Sequence, residues 1–196
     1  MQLPLFEVGS QKQSKRKTSP AAAAKAAAQV PEHRWQTPQI ILDRAIDVLG
    51  AIDLDPCCNS KNAPDTPARM SFAQDEDGLT KPWRGRVWLN PPYGRVIGKW
   101  LDKLRSEYET GDVTAAIGLL PSRTDTLWWQ SMSSYPICFI HGRLHFSGHK
   151  NSAPFPSAVV YLGPLLSRFT AAFGQVGTIY TPYGVSDLPP SPTWPR

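Results

Sequence analysis

Residues Asn90-Pro91-Pro92-Tyr93 stand in one unbroken run, and together they suit one kind of chemistry. An aromatic amine is a poor nucleophile because its lone pair is delocalised into the ring. Two hydrogen-bond acceptors at fixed positions, one for each N–H, draw the nitrogen toward tetrahedral geometry and free the lone pair to attack a methyl carbon. The amide oxygen of Asn90 can be one acceptor, and the backbone carbonyl of Pro91 the other. Consecutive prolines fix φ and remove N–H donors, so the turn is stiff and presents acceptors. Tyr93 adds a flat face on which a base can stack. An ordinary Pro-Pro turn after a strand has the same four residues. The setting favours chemistry: apolar Val87-Trp88-Leu89 comes before, and Gly94 and a helix come after.

The elements that must hold this run are legible along the chain. Thr37-Pro38 is a helix start, a cap residue followed by proline at the first helical position. Ile40, Ile41, Ala45, Val48 and Leu49 then recur at helical spacing until Gly50. Ile52 and Leu54 form a short strand running into Asp55-Pro56. Residues 59–82 are polar and broken by prolines, and read mostly as loop. Val87-Trp88-Leu89 is a strand, Val96 to Tyr108 a helix closed by Gly111, and Ala115 to Leu120 a strand ending at Pro121. Thr124 to Met132 reads as a short helix, with Thr124 and Asp125 suited to cap it. Ile137 to Ile140, Leu144 to Phe146 and Ser157 to Leu162 read as strands. The alternation predicts an α/β fold in one domain, with a mixed sheet covered on both faces and an antiparallel edge. Ligands of such sheets bind outside the carboxyl ends of the strands, where Asp55 and Asn90 both fall.

Composition limits the rest. A chain of 196 residues, 41% hydrophobic, supports one packed core. Residues 7–34 read as linker, so we divide the chain into a flexible basic tail (1–34), a domain (35–184) and a proline-rich tail (185–196). Residues 1–34 carry six Lys/Arg against two Glu, whereas residues 35–196 carry fifteen against fourteen acids. The net charge of +5 therefore belongs mostly to the tail, which supplies sequence-independent attraction to phosphates. The folded part must rely on local patches. The run Arg84, Arg86, Arg95, Lys99, Lys103, Arg105 is one candidate, although Lys99 and Lys103 fit a solvated helix face better. Cys57, Cys58 and Cys138 include no CxxC pair, which argues for a reducing, cytoplasmic setting without disulfides or a metal site. No stretch is long and apolar enough for a membrane span.

Asn-Pro-Pro-Tyr at a strand end is similar to the catalytic motif of amino-group methyltransferases acting on adenine. The wider text IDLDPCCN, DEDGLTKPWRGRVWLNPPYGR, AIGLLPSRTDT, GRLHF and APFPSAVVYLG resembles the phage-type DNA N6-adenine methyltransferase (Dam-like) family, over roughly Trp35 to Gly163. The resemblance implies a Rossmann-like fold, S-adenosylmethionine as cofactor, double-stranded DNA as partner, and a phage or prophage origin in a bacterial cell. Asp55-Pro56 then matches the acidic motif beside the methionine part of the cofactor. Thr37-Pro38 matches a helix start that suits the cofactor carboxylate, as an anion at a helix N-terminus should. Asp77 stands where such enzymes place an acid against the cofactor adenine, or is simply a turn aspartate. The glycine-rich turn common after the first strand is replaced by Cys57-Cys58-Asn59. The chain from Asp55 to Asn90 is also short for the usual second and third strands. No motif assigns the ribose contact, and Asn59 is the candidate for it.

The remaining candidates concern substrate and tethering. Arg123 follows a strand end on the ligand side. Arg143 and Lys150 flank an expected hairpin that could grip phosphate or read bases. Phe155 either closes on a flipped base opposite Tyr93 or is a core residue. Gln2, Leu3, Leu5 and Phe6 are similar to the peptide with which bacterial replication proteins bind the sliding clamp, or form a random leader. The same motif could instead act on RNA adenine or a protein glutamine, or survive in a catalytically silent DNA-binding module.

Overall fold

A computed structural model describes residues 36–60, 64, 66–146 and 151–182. Helix α1 (Gln39–Leu49) leads into β1 (Leu54–Cys58), β2 (Met70–Ala73), two single-turn 3₁₀ segments (Gln74–Glu76 and Gly78–Thr80) and β3 (Gly85–Leu89). Then follow α2 (Ile97–Glu109), β4 (Val113–Pro121), α3 (Leu127–Gln130), β5 (Ile137–Ile140), β6 (Ser157–Leu162), α4 (Leu166–Phe173) and β7 (Gly177–Tyr180). The strands make one sheet in the order β2-β1-β3-β4-β6-β5-β7. The first four run parallel. The pairs β4–β6, β6–β5 and β5–β7 are antiparallel, so the expected mixed sheet has an antiparallel half.

Both faces are covered. On one, Ile41, Leu42 and Ala45 of α1 and Phe169 and Phe173 of α4 pack with Trp88, Ile117, Leu119, Val159 and Tyr161. On the other, Ile97, Leu101 and Leu104 of α2 and Trp129 beside them pack with Val87, Leu89, Ala116, Leu120 and Val160. Strand β4 feeds both clusters by alternation, which is why it reads as a near-continuous apolar run.

The structure departs from expectation in several places. The stretch read as loop after residue 59 contains β2, which pairs with β1 as the sheet edge. Its buried side is limited to Ala73, so it shows little hydrophobic alternation. The short connection from Asp55 to Asn90 therefore holds one extra strand. Leu144 to Phe146 is not a strand. Leu144 and Phe146 are buried against the core, and the Leu144 carbonyl accepts from Ala153 N–H (2.8 Å). The short helix covers only Leu127–Gln130, and Thr126 precedes it, so Thr124 and Asp125 do not cap it. The pair α4 and β7 follows the last strand read from sequence. Among the described residues, no helix is long and apolar enough to cross a membrane.

One ion pair ties the base of the sheet together. Arg86 on β3 donates to Asp53 through Nε (2.7 Å) and Nη2 (2.9 Å), and through Nη1 to the Leu49 carbonyl at the end of α1 (3.1 Å). It is therefore not part of a phosphate-binding patch. Lys103 is likewise paired with Glu107, and Arg105 lies near Asp102 and Glu109. The Arg86 hydrogen bonds hold the Asp53 carboxyl at about 2, against an ordinary 3.8. Because the folded value is depressed, this stabilisation is complete above about pH 4 and is lost as pH falls toward 2. Asp53→Asn should cost about 1–2 kcal/mol at neutral pH, allowing for partial exposure, and flatten the acid limb of the stability profile. Urea unfolding at several pH values measures both effects.

Candidate functional site

The carboxyl ends of β1 and β3 open on a cavity of about 440 Å³, within the range of about 300–1,000 Å³ typical of small-molecule sites. Asn90, Pro91, Pro92 and Tyr93 line it, as do Thr37, Asp55, Pro56, Asn59 and Asp77. Residues from four separated segments thus meet at one strand edge.

Asn90 is the junction. Its Nδ2 donates to Thr37 Oγ1 (3.2 Å), and its Oδ1 accepts from the Tyr93 hydroxyl (3.0 Å). Its backbone carbonyl accepts from the Cys57 thiol (3.1 Å). Burial, and then the neighbouring Asp55 carboxylate, push the Cys57 thiol well up, so it stays protonated as a donor and is no nucleophile. Burial likewise pushes the Tyr93 phenol well above its ordinary value. Gly94, with φ 135°, turns the chain sharply after Tyr93, a conformation that favours glycine. The chain then enters α2.

Asp55 is 3% exposed. Its carboxylate accepts from the Cys57 N–H (3.1 Å) and from Thr66 Oγ1 (2.8 Å). Thr37 was expected to cap α1. Instead Pro38 takes the cap position and the helix begins after it, so Thr37 stands one residue too early to cap; its hydroxyl accepts from Asn90. Pro38 itself does not line the cavity; its carbonyl accepts from Ile41 N–H in the first turn of α1.

The opposite wall is the turn after β2, which was not legible as a wall. Asp77 holds a left-handed conformation (φ 45°) and is exposed, and its side chain accepts from Leu79 N–H (3.3 Å). It therefore both shapes a turn and lines the cavity. Gly78 passes so close to β1 that an added Cβ would lie 2.0 Å from the Pro56 carbonyl oxygen. Trp83, fully buried, donates through Nε1 to the Gly78 carbonyl (2.8 Å) and stacks on the cavity-lining Trp100 at 5.9 Å. Gly78→Ala must push the wall off the strand. The expected result is a loss of about 1–3 kcal/mol in stability together with weakened ligand binding, checked by thermal unfolding with and without ligand. Thr66, Gln74, Gly78 and Leu79 also line the cavity and escaped sequence reading. Only the DGLT turn and the buried-type Trp83 beside Pro82 could have hinted at this wall.

Other candidates lie apart from the cavity. Phe155 meets Tyr93 edge-on, with centroids 5.3 Å apart at 82°. It packs against the core and buttresses the tyrosine, and in this arrangement leaves no gap for a base between the two rings. Arg123, after the end of β4, and Arg143, after β5, are exposed, as is Arg95 beside the motif. Lys150 and the clamp-like Gln2, Leu3, Leu5 and Phe6 lie outside the described residues. The described cysteines are free.

No curated protein and no solved structure matches the chain. A family model, described as DNA N-6-adenine-methyltransferase (Dam), matches residues 25–160. That span takes in the cavity, the Asn90–Tyr93 motif and the sheet through most of β6. With most of its length matched, the chain belongs to the DNA N-6-adenine-methyltransferase (Dam) family.

Proposed function

We propose that the protein transfers a methyl group from S-adenosylmethionine to the N6 amine of adenine at specific sites in double-stranded DNA. The observation that carries this reading is that Asn90 and Tyr93 share one cavity with the buried Asp55 carboxylate and with Asp77. The cavity fits the cofactor chemically. Asp55 suits its cationic groups, Asp77 can accept from its adenine amine, and Leu79 and Trp100 offer apolar walls for the ring. When bound, the cofactor supplies an electrophilic methyl carbon.

The chain's own residues do the rest. A flipped adenine, extruded at a cost of about a few kcal/mol, stacks on Tyr93. Its amine donates to Asn90 Oδ1 and the Pro91 carbonyl, so the Tyr93 hydroxyl gives up the oxygen it holds in this structure. Fixing amine and methyl carbon in line supplies much of the acceleration. Exposed Arg95, Arg123 and Arg143 are the candidates for phosphate contact. The domain of residues 35–184 would carry this activity, with the basic segment 1–34 adding affinity for DNA in a bacterial or phage-infected cytoplasm.

The test is methyl-labelled S-adenosylmethionine with mixed-sequence duplex DNA, followed by digestion to nucleosides. N6-methyladenine confined to particular sequences is the expected product. Label in RNA or in protein glutamine instead, or in nothing, would overturn the reading in favour of another amine substrate or a silent fold. Residues 2–6 would dock on the sliding clamp. Removing residues 1–6 should abolish clamp capture and leave activity on a short oligonucleotide unchanged, whereas undiminished capture would end that part of the proposal.

A further inference from the structure

Asn90 can serve only if its amide oxygen faces the target amine, yet oxygen and nitrogen of a side-chain amide are nearly the same size. Rotation by half a turn would present two N–H donors to an amine that also donates. Something must hold the amide in the productive sense. The backbone hydrogen bond from the Cys57 thiol fixes the main chain at Asn90, but it does not touch the side-chain torsion. The Tyr93 hydroxyl cannot do the work during turnover, because it occupies the oxygen that the substrate needs.

We infer that Thr37 is the positioning residue for Asn90: its hydroxyl takes the amide Nδ2–H and so keeps Oδ1 turned toward the base. Three observations support this. Thr37 Oγ1 lies 3.2 Å from Asn90 Nδ2, across 53 positions of sequence. Thr37 is 7% exposed, so water competes little for the contact. The hydroxyl is not used on α1, because Pro38 occupies the cap position and Thr37 stands one residue before it. A residue type suited to capping is thus used on the catalytic side chain instead. The hydroxyl keeps its own proton to donate elsewhere in the cavity, so Thr37 also links the start of α1 to the acceptor. The inference deepens the proposed reading of the site and rests on it.

The variants are Thr37→Val, which keeps shape and removes the hydroxyl, Thr37→Ala, in case valine disturbs folding, and Thr37→Ser, which restores the hydroxyl. Three quantities are read: kcat at saturating cofactor and DNA, cofactor affinity from tryptophan fluorescence, and the Asn90 side-chain amide signals in protein labelled with ¹⁵N-asparagine. The chain has only four asparagines, so Asn90→Ala assigns them. The expectation is a fall in kcat of about tenfold to a hundredfold for valine and alanine, with the Asn90 amide signals shifted and exchanging faster. Serine should recover most of both. Wild-type kcat in the valine and alanine variants, a serine variant as impaired as valine, or a loss confined to cofactor affinity would overturn the inference. If the wild-type protein methylates no DNA, the functional reading fails separately. The amide signals then decide alone, and signals indifferent to Thr37→Val would end the positioning role.

Discussion

Replacing Asn90 by alanine should lower methyl transfer to DNA by about a hundredfold to a thousandfold, the range seen when one preorganised polar group at a reacting centre is removed. The fold should survive. Asn90 follows the last residue of β3 and lies outside the strand ladder. The Cys57 thiol bonds its backbone carbonyl, which alanine keeps. The hydroxyls of Thr37 and Tyr93 both line the cavity, and water entering the space the amide vacates can take its place. The loss should therefore appear in kcat, with cofactor affinity and thermal unfolding close to wild type. Single-turnover transfer to an oligonucleotide, measured beside fluorescence titration of the cofactor, separates these quantities. A variant that turns over at the wild-type rate would remove Asn90 from the chemistry.

The second large effect is expected at Asp55, on binding and not on the chemical step. Asp55→Asn preserves shape and removes the charge. Affinity for S-adenosylmethionine should fall by about tenfold to a hundredfold, the worth of one charge-assisted contact in a shielded site. Part of the loss is architectural. The carboxylate accepts from the Cys57 N–H and Thr66 Oγ1, and an amide has only one oxygen for such donors. Thr66→Val separates the two contributions, because it leaves the charge and deletes one partner. Calorimetric titration of the three proteins makes the comparison. Equal affinity in wild type and Asp55→Asn would place the cationic groups of the cofactor elsewhere.

What the sequence by itself determined lies in local chemistry and periodicity. Pro91-Pro92 dictates a rigid turn wherever it falls, and the apolar run before it dictates a buried strand, so Asn90 at a strand end was legible. The helical spacing from Ile41 to Leu49 and the alternation in β4 follow from one-sided and two-sided burial, and these too were legible. The tertiary structure decided what depends on partners distant along the chain. Strand β2 exists because β1 offers it a free edge, not because its own residues alternate. Gly78 and Trp83 form a cavity wall only because Pro56 and Trp100 come to meet them. Arg86, one more cation in a basic run, is tied to Asp53 and the end of α1, and is no phosphate ligand. Thr37 illustrates the limit best. Its residue type and its place before proline forecast a helix cap, but the helix starts one residue later, with Pro38 at the cap position. Folding brings Asn90 within 3.2 Å of the Thr37 hydroxyl, a contact 53 positions away that no local rule could foresee.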